Sequence, residues 1–453
     1  PVELLERRVT FFGKDGKVLV ASSPSRSDNT GIIALWRDGD QRLLAVKCRE
    51  CGEYWTPGFG EDRKPTLSHL YRPESCDEET ARREARLVCP NCGGLHGDRD
   101  KAALLRAGVW VPAGMSVDKS GGLIGTPPAG RKRSYWFNGL LNPFVPIGDL
   151  AAQLTAAERH FEVSGEETTL RTVTNTVLGI PYRAAADGAE PLVADDFDDR
   201  RDAYAVRTVP AGVAYLVATV DVQGNRFAVL VRGFAADGES WAIDRFDITA
   251  PARGEGDIRP AERSEDWQEL LPRVMRRVYP LADRPGWGMP VAVTVIDTGG
   301  MDGVSDKARE FWMFARREGV PAFQLMMIKG ATLTTAPMVG RPTYATVDGK
   351  PNKRAYHWWM LGTHELKNTL FNRLQPGPGA LHFPAAWEKR WFEELTAEEK
   401  RKGRWERIRR ANESWDLEVY ALAASLRLAP ERIDWSNPPV WARPVEIDTA
   451  RAK

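Results

Sequence analysis

Two short apolar runs that stand next to each other, Ala214–Val220 and Phe227–Phe234, most constrain the fold. The first is rich in Val and Ala, carries no charge and is too short for a core helix, so it predicts a buried central β-strand. It ends at Asp221, and a buried carboxylate costs several kcal/mol unless it is paired or binds a metal. The alternative is that Asp221 only caps a β-turn with Gly224 and Asn225.

The residues after Thr208 predict a β-meander followed by alternating strands and helices. Asp237-Gly238 is a strong hairpin signal. A second buried run also ends in an acid, Asp297, and Thr298-Gly299-Gly300 leaves room beside it for a ligand. The predicted elements are the strands Val213–Val220, Arg226–Phe234, Ser240–Ile248, Val291–Ile296, Ala322–Ile328 and Ala380–Phe383 and the helices Glu262–Val278 and Asp306–Glu318.

Four of the five cysteines form two C-x-x-C pairs, each followed by a glycine: Cys48, Cys51, Cys89 and Cys92. In a chain of this length such spacing indicates a metal site rather than a disulfide framework. Four thiolates suit tetrahedral Zn²⁺ and leave no open position for water, so we expect a structural zinc ion. His96 ranks second as a substitute for one cysteine, and we expect Cys76 to take no part.

Composition narrows the class of protein. The chain has 453 residues, 42% of them hydrophobic, which is enough for two or three domains with large cores. Its net charge is +1, so a nucleic-acid surface has to be a local patch. No apolar run reaches eighteen residues and no signal-peptide pattern is present, so we expect a soluble, cytoplasmic protein with no membrane partner. The chain begins at Pro1 rather than Met, and we expect a fragment.

Apart from the cysteine pairs, the first 205 residues carry weaker structural signals than the rest of the chain. Lys17–Ala21 predicts a strand. The chain contains no G-x-x-x-x-G-K-[ST] sequence, the loop that cradles nucleotide phosphates. Helical spacing in Lys101–Ala107, Asp149–Phe161 and Thr169–Leu178 predicts a helix-rich connector, and the acidic residues 184–202 predict a linker.

A strongly basic segment follows the last predicted strand. Its charged residues are Lys400, Arg401, Lys402, Arg404, Arg407, Arg409 and Arg410. The segment is either a solvated helix face or a surface that contacts DNA phosphates, and we favour the second interpretation. The residues directly after it, 412–424, predict a helix with an apolar stripe, on which Glu413 and Asp416 project to one side.

Three separated acids thus stand at the ends of predicted elements: Asp221, Asp297 and Asp416. A meander followed by alternating strands and helices, with acids at these places, is the layout of an RNase H-like nuclease. Two Mg²⁺ or Mn²⁺ ions roughly 4 Å apart prefer carboxylate oxygens, activate a water and stabilise the leaving oxygen of a phosphodiester. The predicted fold class is therefore α/β: an RNase H-like domain with a mixed sheet flanked by helices, preceded by a zinc knuckle and a helical connector.

Several further segments carry a resemblance that covers almost the whole chain. They are the two C-x-x-C pairs, Asn175-Thr-Val-Leu-Gly179-Ile-Pro, Val220-Asp221-Val-Gln223, Ile296-Asp297-Thr-Gly299-Gly300, Ile328-Lys329-Gly330, Pro376-Gly-Pro-Gly-Ala-Leu-His382-Phe383-Pro384, Leu395-Thr-Ala-Glu398 and Asn412-Glu413-x-x-Asp416-x-x-x-Tyr420-Ala. In this order they resemble the large terminase subunit of tailed bacteriophages, specifically the lambda-type, GpA-like family.

The resemblance implies an N-terminal packaging ATPase and a C-terminal nuclease that cuts concatemeric double-stranded DNA at genome ends. Because the phosphate-cradling loop is absent, we expect this chain to cut DNA but not to hydrolyse ATP. The implied partners are double-stranded DNA, the small terminase subunit and the prohead portal, on which the protein would form an oligomer. The implied location is the host cell cytoplasm.

The resemblance also assigns roles to single residues. The metal-binding carboxylates that it implies, for two Mg²⁺ or Mn²⁺ ions, are Asp221, Asp297 and Asp416. Glu413 is an auxiliary ligand or, equally, only the partner of an arginine one turn away. Lys329 steadies a phosphate or a developing charge, and His382 is either near the site or a structural strand residue. Asp244 and Asp302 are reserve candidates, to be considered only if one of the three aspartates is not a metal ligand.

The expected domains are residues 1–47, the end of an ATPase domain; 48–110, a Cys₄ zinc module; 111–205, a connector and linker; 206–430, the RNase H-like nuclease; and 431–453, a C-terminal tail. Two alternative functions remain. One is an RNase H-like transposase or integrase, whose third acid is usually Glu. The other is a zinc-stabilised docking module that binds the portal or the small subunit without cleaving DNA, its acids being ordinary surface charges.

Overall fold

The protein is described here by a computed structural model. The structure describes residues 2–24, 31–130, 132–252, 254, 256–347, 350–351, 356–375 and 381–447. The chain forms two compact units: Pro1–Phe161 with Glu167–Ala184, and Glu162–Glu166 with Ala185–Lys453. In the part of the chain that the structure describes, no helix is long and apolar enough to cross a bilayer.

Short strands and helices make up the first unit. The strands up to residue 136 are Arg42–Lys47, Tyr54–Trp55, Leu70–Tyr71, Arg86–Val88, Leu95–His96, Val109–Val111, Met115–Val117, Leu123–Gly125 and Tyr135–Trp136. The α-helices up to residue 172 are Val2–Val9, Gly31–Arg37, Glu78–Glu84, Asp98–Arg106, Ile147–Ser164 and Thr168–Thr172. The last three confirm the helices predicted in this region, and Thr168–Thr172 continues into a single π-turn over Val173–Val177.

The strand predicted at Lys17–Ala21 does not form. Residues 16–24 have no regular secondary structure, and the side chain of Leu19 is 93% exposed. A strand is stable only when a neighbour accepts and donates its backbone hydrogen bonds, and this segment pairs with none of the described strands. The prediction was wrong because apolar composition does not supply a neighbour.

The second unit is built on a mixed β-sheet with eleven strands among the described residues. Its main strands are β1 (Arg201–Asp202), β2 (Tyr215–Val222), β3 (Phe227–Phe234), β4 (Ser240–Ile248), β5 (Trp287–Asp297), β6 (Leu325–Gly330), β7 (Val339–Tyr344), β8 (His357–Leu361) and β9 (Leu381–Pro384). They lie in the order β1-β9-β4-β3-β2-β5-β6-β8-β7, and the short strands Val278–Pro280 and Val445–Glu446 pair with β5. The antiparallel meander β2-β3-β4 is confirmed, and β5 runs parallel to β2 and β6.

Helices cover both faces of this sheet. They are α1 (Val304–Arg317), α2 (Thr363–Arg373), α3 (Lys389–Leu395) and α4 (Glu413–Leu428). Residues of one parity on β2, and on β5 from Val293 onward, pack with α2, α3 and α4, as Val217 and Val293 do, whereas residues of the other parity, such as Leu216 and Ile296, pack with α1. Strand β2 is therefore apolar on both faces, which explains why its sequence shows a continuous run instead of an alternation.

The helix predicted over Glu262–Val278 is broken. The structure has a short helix, Ser264–Trp267, then a π-turn over Leu271–Met275 and the strand Val278–Pro280. Pro272 lies inside the predicted helix, and a proline there removes a backbone donor and clashes with the preceding turn.

The basic segment forms a β-hairpin and not a helix. Strands β10 (Glu398–Arg401) and β11 (Arg404–Arg407) are antiparallel. The connecting residues Lys402 and Gly403 both have positive φ, 47° and 73°. Two such residues form the mirror-image turn whose twist suits a tight hairpin, so the solvated-helix interpretation was wrong.

The acidic segment also differs from its prediction. Residues Ala194–Arg200 form a 3₁₀-helix, and Phe197 is fully buried, where it stacks on Phe392 at a ring separation of 5.3 Å. Strand β1 follows and pairs with β9. This segment is thus packed into the second unit rather than connecting freely. The last predicted strand is confirmed from Leu381 onward; residues 376–380 lie outside the described part of the chain.

Candidate active site

Strand register brings Asp221 and Asp297 together. In the parallel pair β2 and β5, Val220 lies opposite Ile296, so the two acids follow as neighbours at the carboxyl ends of their strands. Both have the parity of Val217, and side chains two residues apart lie on one face of a sheet. Asp221 and Asp297 therefore project from the face that α4 covers.

Helix α4 supplies the third acid from its first turn. Asp416 follows the start of the helix at Glu413, where the positive end of the helix dipole favours negative charge. Tyr420, one turn further along, donates from its hydroxyl to Asp297 Oδ2 over 3.0 Å. Burial and the charges of Asp297, Asp416 and Asp221 raise the pKa of Tyr420 well above its ordinary value. The charges of all three predicted aspartates thus act on one buried hydroxyl, which donates to Asp297.

Each aspartate has its own hydrogen-bond donor. Gln223 Nε2 donates to Asp221 over 2.6 Å. The backbone N–H of Gly299 donates to Asp297 over 2.9 Å, in addition to Tyr420. Such donors fix the orientation of a carboxylate and leave its other lone pairs free for a further ligand.

Burial makes this group of carboxylates costly without a cation. Burial, together with the negative charges of Asp416 and Asp297, raises the pKa of Asp221 to about 7. Burial also raises the pKa of Asp297, although the Gly299 backbone opposes the shift, and the pKa of Asp416, although Lys367 opposes it. Like charges held together in a buried place are the environment that a divalent cation stabilises.

The carboxylate of Asp416 lies in a cluster that sequence reasoning missed. Asn412 Nδ2 donates to Asp416 Oδ2 over 2.8 Å and to Glu398 over 3.1 Å. Lys367 Nζ lies 3.2 Å from Asp416 Oδ1. Asn412 and Glu398 stand inside segments of the family resemblance, as do Gln223 and Tyr420, so those segments were the available signal. Nothing in the sequence singled out Lys367.

Glu413 has one bound and one unbound oxygen. Its Oε1 accepts from Arg226 Nη2 over 2.6 Å, and this arginine comes from the start of β3 and not from the same helix. Its Oε2 is buried and has no hydrogen-bond partner among the described residues. A buried, unsatisfied carboxylate oxygen beside three aspartates fits an additional ligand for a cation or its water.

Lys329 and His382 are not in contact with the aspartates. Lys329 has the parity of the α1 face, where its Nζ donates to Ser305 over 3.0 Å. His382 stacks on Trp241, lies between Asp202 and Glu239, and forms a 2.7 Å contact with the second. Across the sheet, His382 is level with Leu216 on β2. Leu216 precedes Asp221 by five residues, which is ~16 Å along the strand. This position agrees with the second interpretation of His382, a structural strand residue, and not with a residue near the site.

The two reserve acids are not needed. Asp244 is buried and paired with Arg207 and Arg277, both at 3.2 Å, and it accepts from Tyr279. These contacts give it a structural role. Asp302 lies in the exposed turn before α1.

The β10–β11 hairpin presents most of the predicted basic residues to solvent. The exposed members are Arg401, Lys402, Arg404, Arg407, Arg409 and Arg410. Lys400 differs, because only 4% of its side chain is exposed and its Nζ contacts Asp187 over 2.8 Å and Asn368 over 2.9 Å. Its place in the predicted DNA surface was therefore wrong, since its charge is already neutralised inside the protein.

The cysteine pairs form a compact cluster in the first unit. The sulfur atoms of all four lie within 4.8 Å of one another, with Cys48 3.7 Å from Cys92 and Cys51 3.9 Å from Cys89. Within the described ranges, this is the one group of three or more Cys, His, Asp or Glu ligands that is so close. The carboxylates of the second unit are therefore spread more widely than the thiols.

Two turns of the same form present these sulfurs. Gly52 N–H donates to Cys48 O over 3.1 Å, and Gly93 N–H donates to Cys89 O over 2.9 Å. Both glycines have a positive φ, 76° and 74°, a backbone conformation that residues with a side chain rarely adopt. The glycine after each C-x-x-C pair therefore allows the turn that presents the sulfur atoms.

The environment of Cys48 favours a thiolate. Burial raises its pKa, but the backbone N–H groups of Cys51 and Glu50 and the ring of His96 outweigh burial and lower the pKa to about 6. His96 Nε2 lies 3.3 Å from Cys48 Sγ, so His96 contacts one of the four clustered cysteines and does not take the place of one. Cys76 lies outside the cluster, as expected.

This chain is similar to known proteins over most of its length. The model of the endonuclease domain of the phage terminase large subunit gpA matches residues 132–435, and the model of the gpA ATPase domain matches residues 1–110. The terminase large subunit of Escherichia phage lambda is 27% identical over 421 residues, and that of Enterobacteria phage P21 is 26% identical over 423 residues. No solved structure matches.

The extent of these matches refines the domain picture. Each alignment covers 85% of this chain but 57% of the relative, so the chain spans less than two thirds of the curated relatives. The ATPase-domain match continues past residue 47, the boundary predicted for that domain, and includes the four cysteines. A match of the endonuclease model to more than half of the chain also contradicts the transposase or integrase alternative. This chain belongs to the gpA family of phage terminase large subunits.

Proposed function

We propose that this chain is a metal-dependent DNA endonuclease, the nuclease part of a packaging terminase that cuts concatemeric double-stranded DNA. The observation that carries the proposal is that Asp221 and Asp297 end neighbouring strands on the face covered by α4, whose first turn carries Asp416, in the region matched by the endonuclease model. The phosphodiesters of DNA carry a negative charge, and they are hydrolysed at useful rates where cations stabilise the attacking and leaving oxygens. The experiment that tests the proposal is metal-dependent nicking of plasmid DNA by this chain and by its Asp221→Ala variant.

The three aspartates are the proposed ligands of two Mg²⁺ or Mn²⁺ ions, with Glu413 as an auxiliary ligand. When bound, such ions supply a water nucleophile and Lewis-acid stabilisation of the leaving oxygen. The residues of this chain do the positioning: Gln223 and Tyr420 orient their carboxylates. Lys329, on the other face of the sheet, is proposed to act on the site only through its charge.

An RNase H-like fold is part of the same proposal. The spatial order β4-β3-β2-β5-β6, with an antiparallel β3 and a parallel continuation through β5 and β6, supports it. So does the placement of acids at the carboxyl ends of β2 and β5 with a third on a late helix.

The raised pKa of Asp221 predicts that the stability of the protein depends on pH. In the absence of Mg²⁺ and Mn²⁺ its folded-state pKa, about 7, exceeds the ordinary 3.8, so the folded protein binds this proton more tightly than the unfolded chain. We therefore expect stability to fall as pH rises from about 4 to about 7, by up to ~4 kcal/mol from this residue. Asp221→Asn should flatten this fall, as measured by thermal unfolding of the zinc-loaded protein.

The matched control for this experiment is Asp283→Asn. Asp283 is exposed in the turn before β5, whose other end carries Asp297. Equal pH dependence of stability in Asp221→Asn and Asp283→Asn would show that Asp221 does not cause the fall in stability.

The hairpin predicts the salt dependence of DNA binding. We expect Arg404→Ala/Arg407→Ala to weaken binding to a duplex and to reduce the slope of log affinity against log salt by about 2, because each phosphate contact releases about one counterion. The control with the same change of charge is Lys64→Ala/Arg432→Ala, whose side chains are 81% and 84% exposed at other places on the protein. An equal slope in the two double variants would contradict a DNA surface on the hairpin.

The remaining assignments are also proposals. The cysteine cluster is proposed to hold a structural Zn²⁺, since four closely placed thiols suit that ion. The family supports a role with the small terminase subunit and the prohead portal, as an oligomer, in the host cell cytoplasm. The expectation that this chain does not hydrolyse ATP stays a prediction, because residues 1–110 match an ATPase domain while the sequence contains no phosphate-cradling loop.

A further inference from the structure

Lys367 on α2 lies between two carboxylates at the edge of the proposed metal site. Its Nζ is 2.8 and 2.7 Å from the two oxygens of Glu398 and 3.2 Å from Asp416 Oδ1. The three side chains are shielded from solvent, with exposures of 14% for Lys367, 7% for Glu398 and 20% for Asp416. Charges in such a place interact much more strongly than charges at an open surface.

Lys367 is a competitor for any ion that binds Asp416. In the described ion pairs it is the one basic side chain in contact with Asp221, Asp297 or Asp416. If Lys367 paired with Asp416 alone, it would neutralise that carboxylate and occupy a lone pair that a divalent cation needs. A metal site that contains a lysine therefore needs something to hold the ammonium group away from the ligand.

Glu398 is placed to hold the ammonium group of Lys367 away from Asp416. Both oxygens of Glu398 are closer to Lys367 Nζ than Asp416 Oδ1 is. Glu398 is the first residue of β10, and the hairpin is closed beside it by the Ile408 N–H bond to Ala397 O at 2.8 Å. The amide of Asn412 bridges Glu398 and Asp416, which fixes the separation of the two carboxylates.

We propose that Glu398 is a positioning residue of the nuclease site, which retains Lys367 and so keeps Asp416 available for a divalent cation. The inference rests on the proposed function, because it needs a metal ion at Asp416. It assigns the Glu of the Leu395-Thr-Ala-Glu398 segment a task that requires a carboxylate, since an amide of the same shape could not retain the ammonium group.

The test is Glu398→Gln, which keeps the shape and removes the charge. Mn²⁺ binding is measured by thermal shift of the full, zinc-loaded chain, together with the Mn²⁺ dependence of plasmid nicking. We expect the Mn²⁺ midpoint to rise about tenfold in both measurements, because Lys367 then pairs with Asp416 alone. Glu398→Gln/Lys367→Met removes the competing cation as well, and should return the midpoint to within about threefold of the wild-type value.

The matched control is Glu399→Gln. This neighbour pairs with Arg401 on the outer part of the hairpin, and its substitution should leave the Mn²⁺ midpoint unchanged. If Glu398→Gln proves too unstable to measure, Lys367→Met decides: it should leave the midpoint at or below the wild-type value, whereas a rise would overturn the proposal.

A wild-type midpoint in Glu398→Gln, or a double variant no better than the single one, would overturn the role of Glu398 while leaving the nuclease proposal intact. A wild-type protein that shows no Mn²⁺-induced shift would overturn both, because there would be no ion for which to keep Asp416 free. Binding and cleavage are therefore recorded separately for every variant.

Discussion

Asp221→Ala is expected to reduce Mn²⁺- or Mg²⁺-dependent nicking of supercoiled plasmid by about 10³-fold or more. The buried carboxylate lies at the centre of the group, where the charges of Asp416 and Asp297 both act on it. A bound metal ion contributes several kcal/mol of charge stabilisation to the transition state, and each 1.36 kcal/mol lost is a factor of ten in rate. Asp416→Ala should have an effect of the same size, and both variants should lose Mn²⁺ binding in a thermal-shift measurement.

Asp283→Ala is the control, since it removes the same charge from the exposed turn before β5. Nicking by Asp221→Ala at the wild-type rate would contradict the assignment of the site. No nicking by well-folded, zinc-loaded wild-type protein would favour the docking-module alternative, or a nuclease that needs the rest of the terminase.

The second large effect is expected in the first unit, where Cys89→Ser should remove bound zinc and unfold the region around the cysteines. Cys48 and Cys89 are buried in the core of this unit, where they pack with residues of short strands and of the helix Ile147–Ser164. Structural zinc sites contribute about 10–16 kcal/mol of binding free energy at neutral pH, which is as large as the stability of a whole domain, about 5–15 kcal/mol. The measurements are zinc content by mass spectrometry and protection of residues 42–111 from hydrogen exchange.

Cys76→Ser is the matched control, because Cys76 has the same chemistry but lies outside the cluster. It should keep one zinc ion per chain and wild-type exchange. Full zinc content and wild-type exchange in Cys89→Ser would show that the cluster does not depend on four thiolates.

The site was predictable where strand pattern and chemistry point to the same residue. Asp221 and Asp297 end uncharged runs that form central strands, and the parity of those runs places both acids on one face. Asp416 was found because it stands in the first turn of a strongly patterned helix. The local pattern placed each acid at the end of an element, and the family resemblance then selected these three as the proposed metal ligands.

The failures have a different physical origin. Lys367 acquires its place through an ion pair with residues 31 and 49 positions away, which no local pattern encodes. Lys400 resembles its exposed neighbours in sequence, yet its alternation in β10 turns it toward Asp187. His382 was judged by its segment, while strand register decides that it lies at the other end of the sheet. Tertiary pairing, not propensity, determined these positions.

The dependence of the site on α4 has a consequence for synthesis of the protein. Asp221 and Asp416 are separated by 195 residues, and a ribosome adds ~5–20 residues per second, so ~10–40 s pass between them. A nascent chain can complete β2, β3 and β5 while the helix that carries the third carboxylate has not yet been made. The proposed site is therefore incomplete until α4 has been synthesised, so a nascent chain that ends before α4 should not cut DNA.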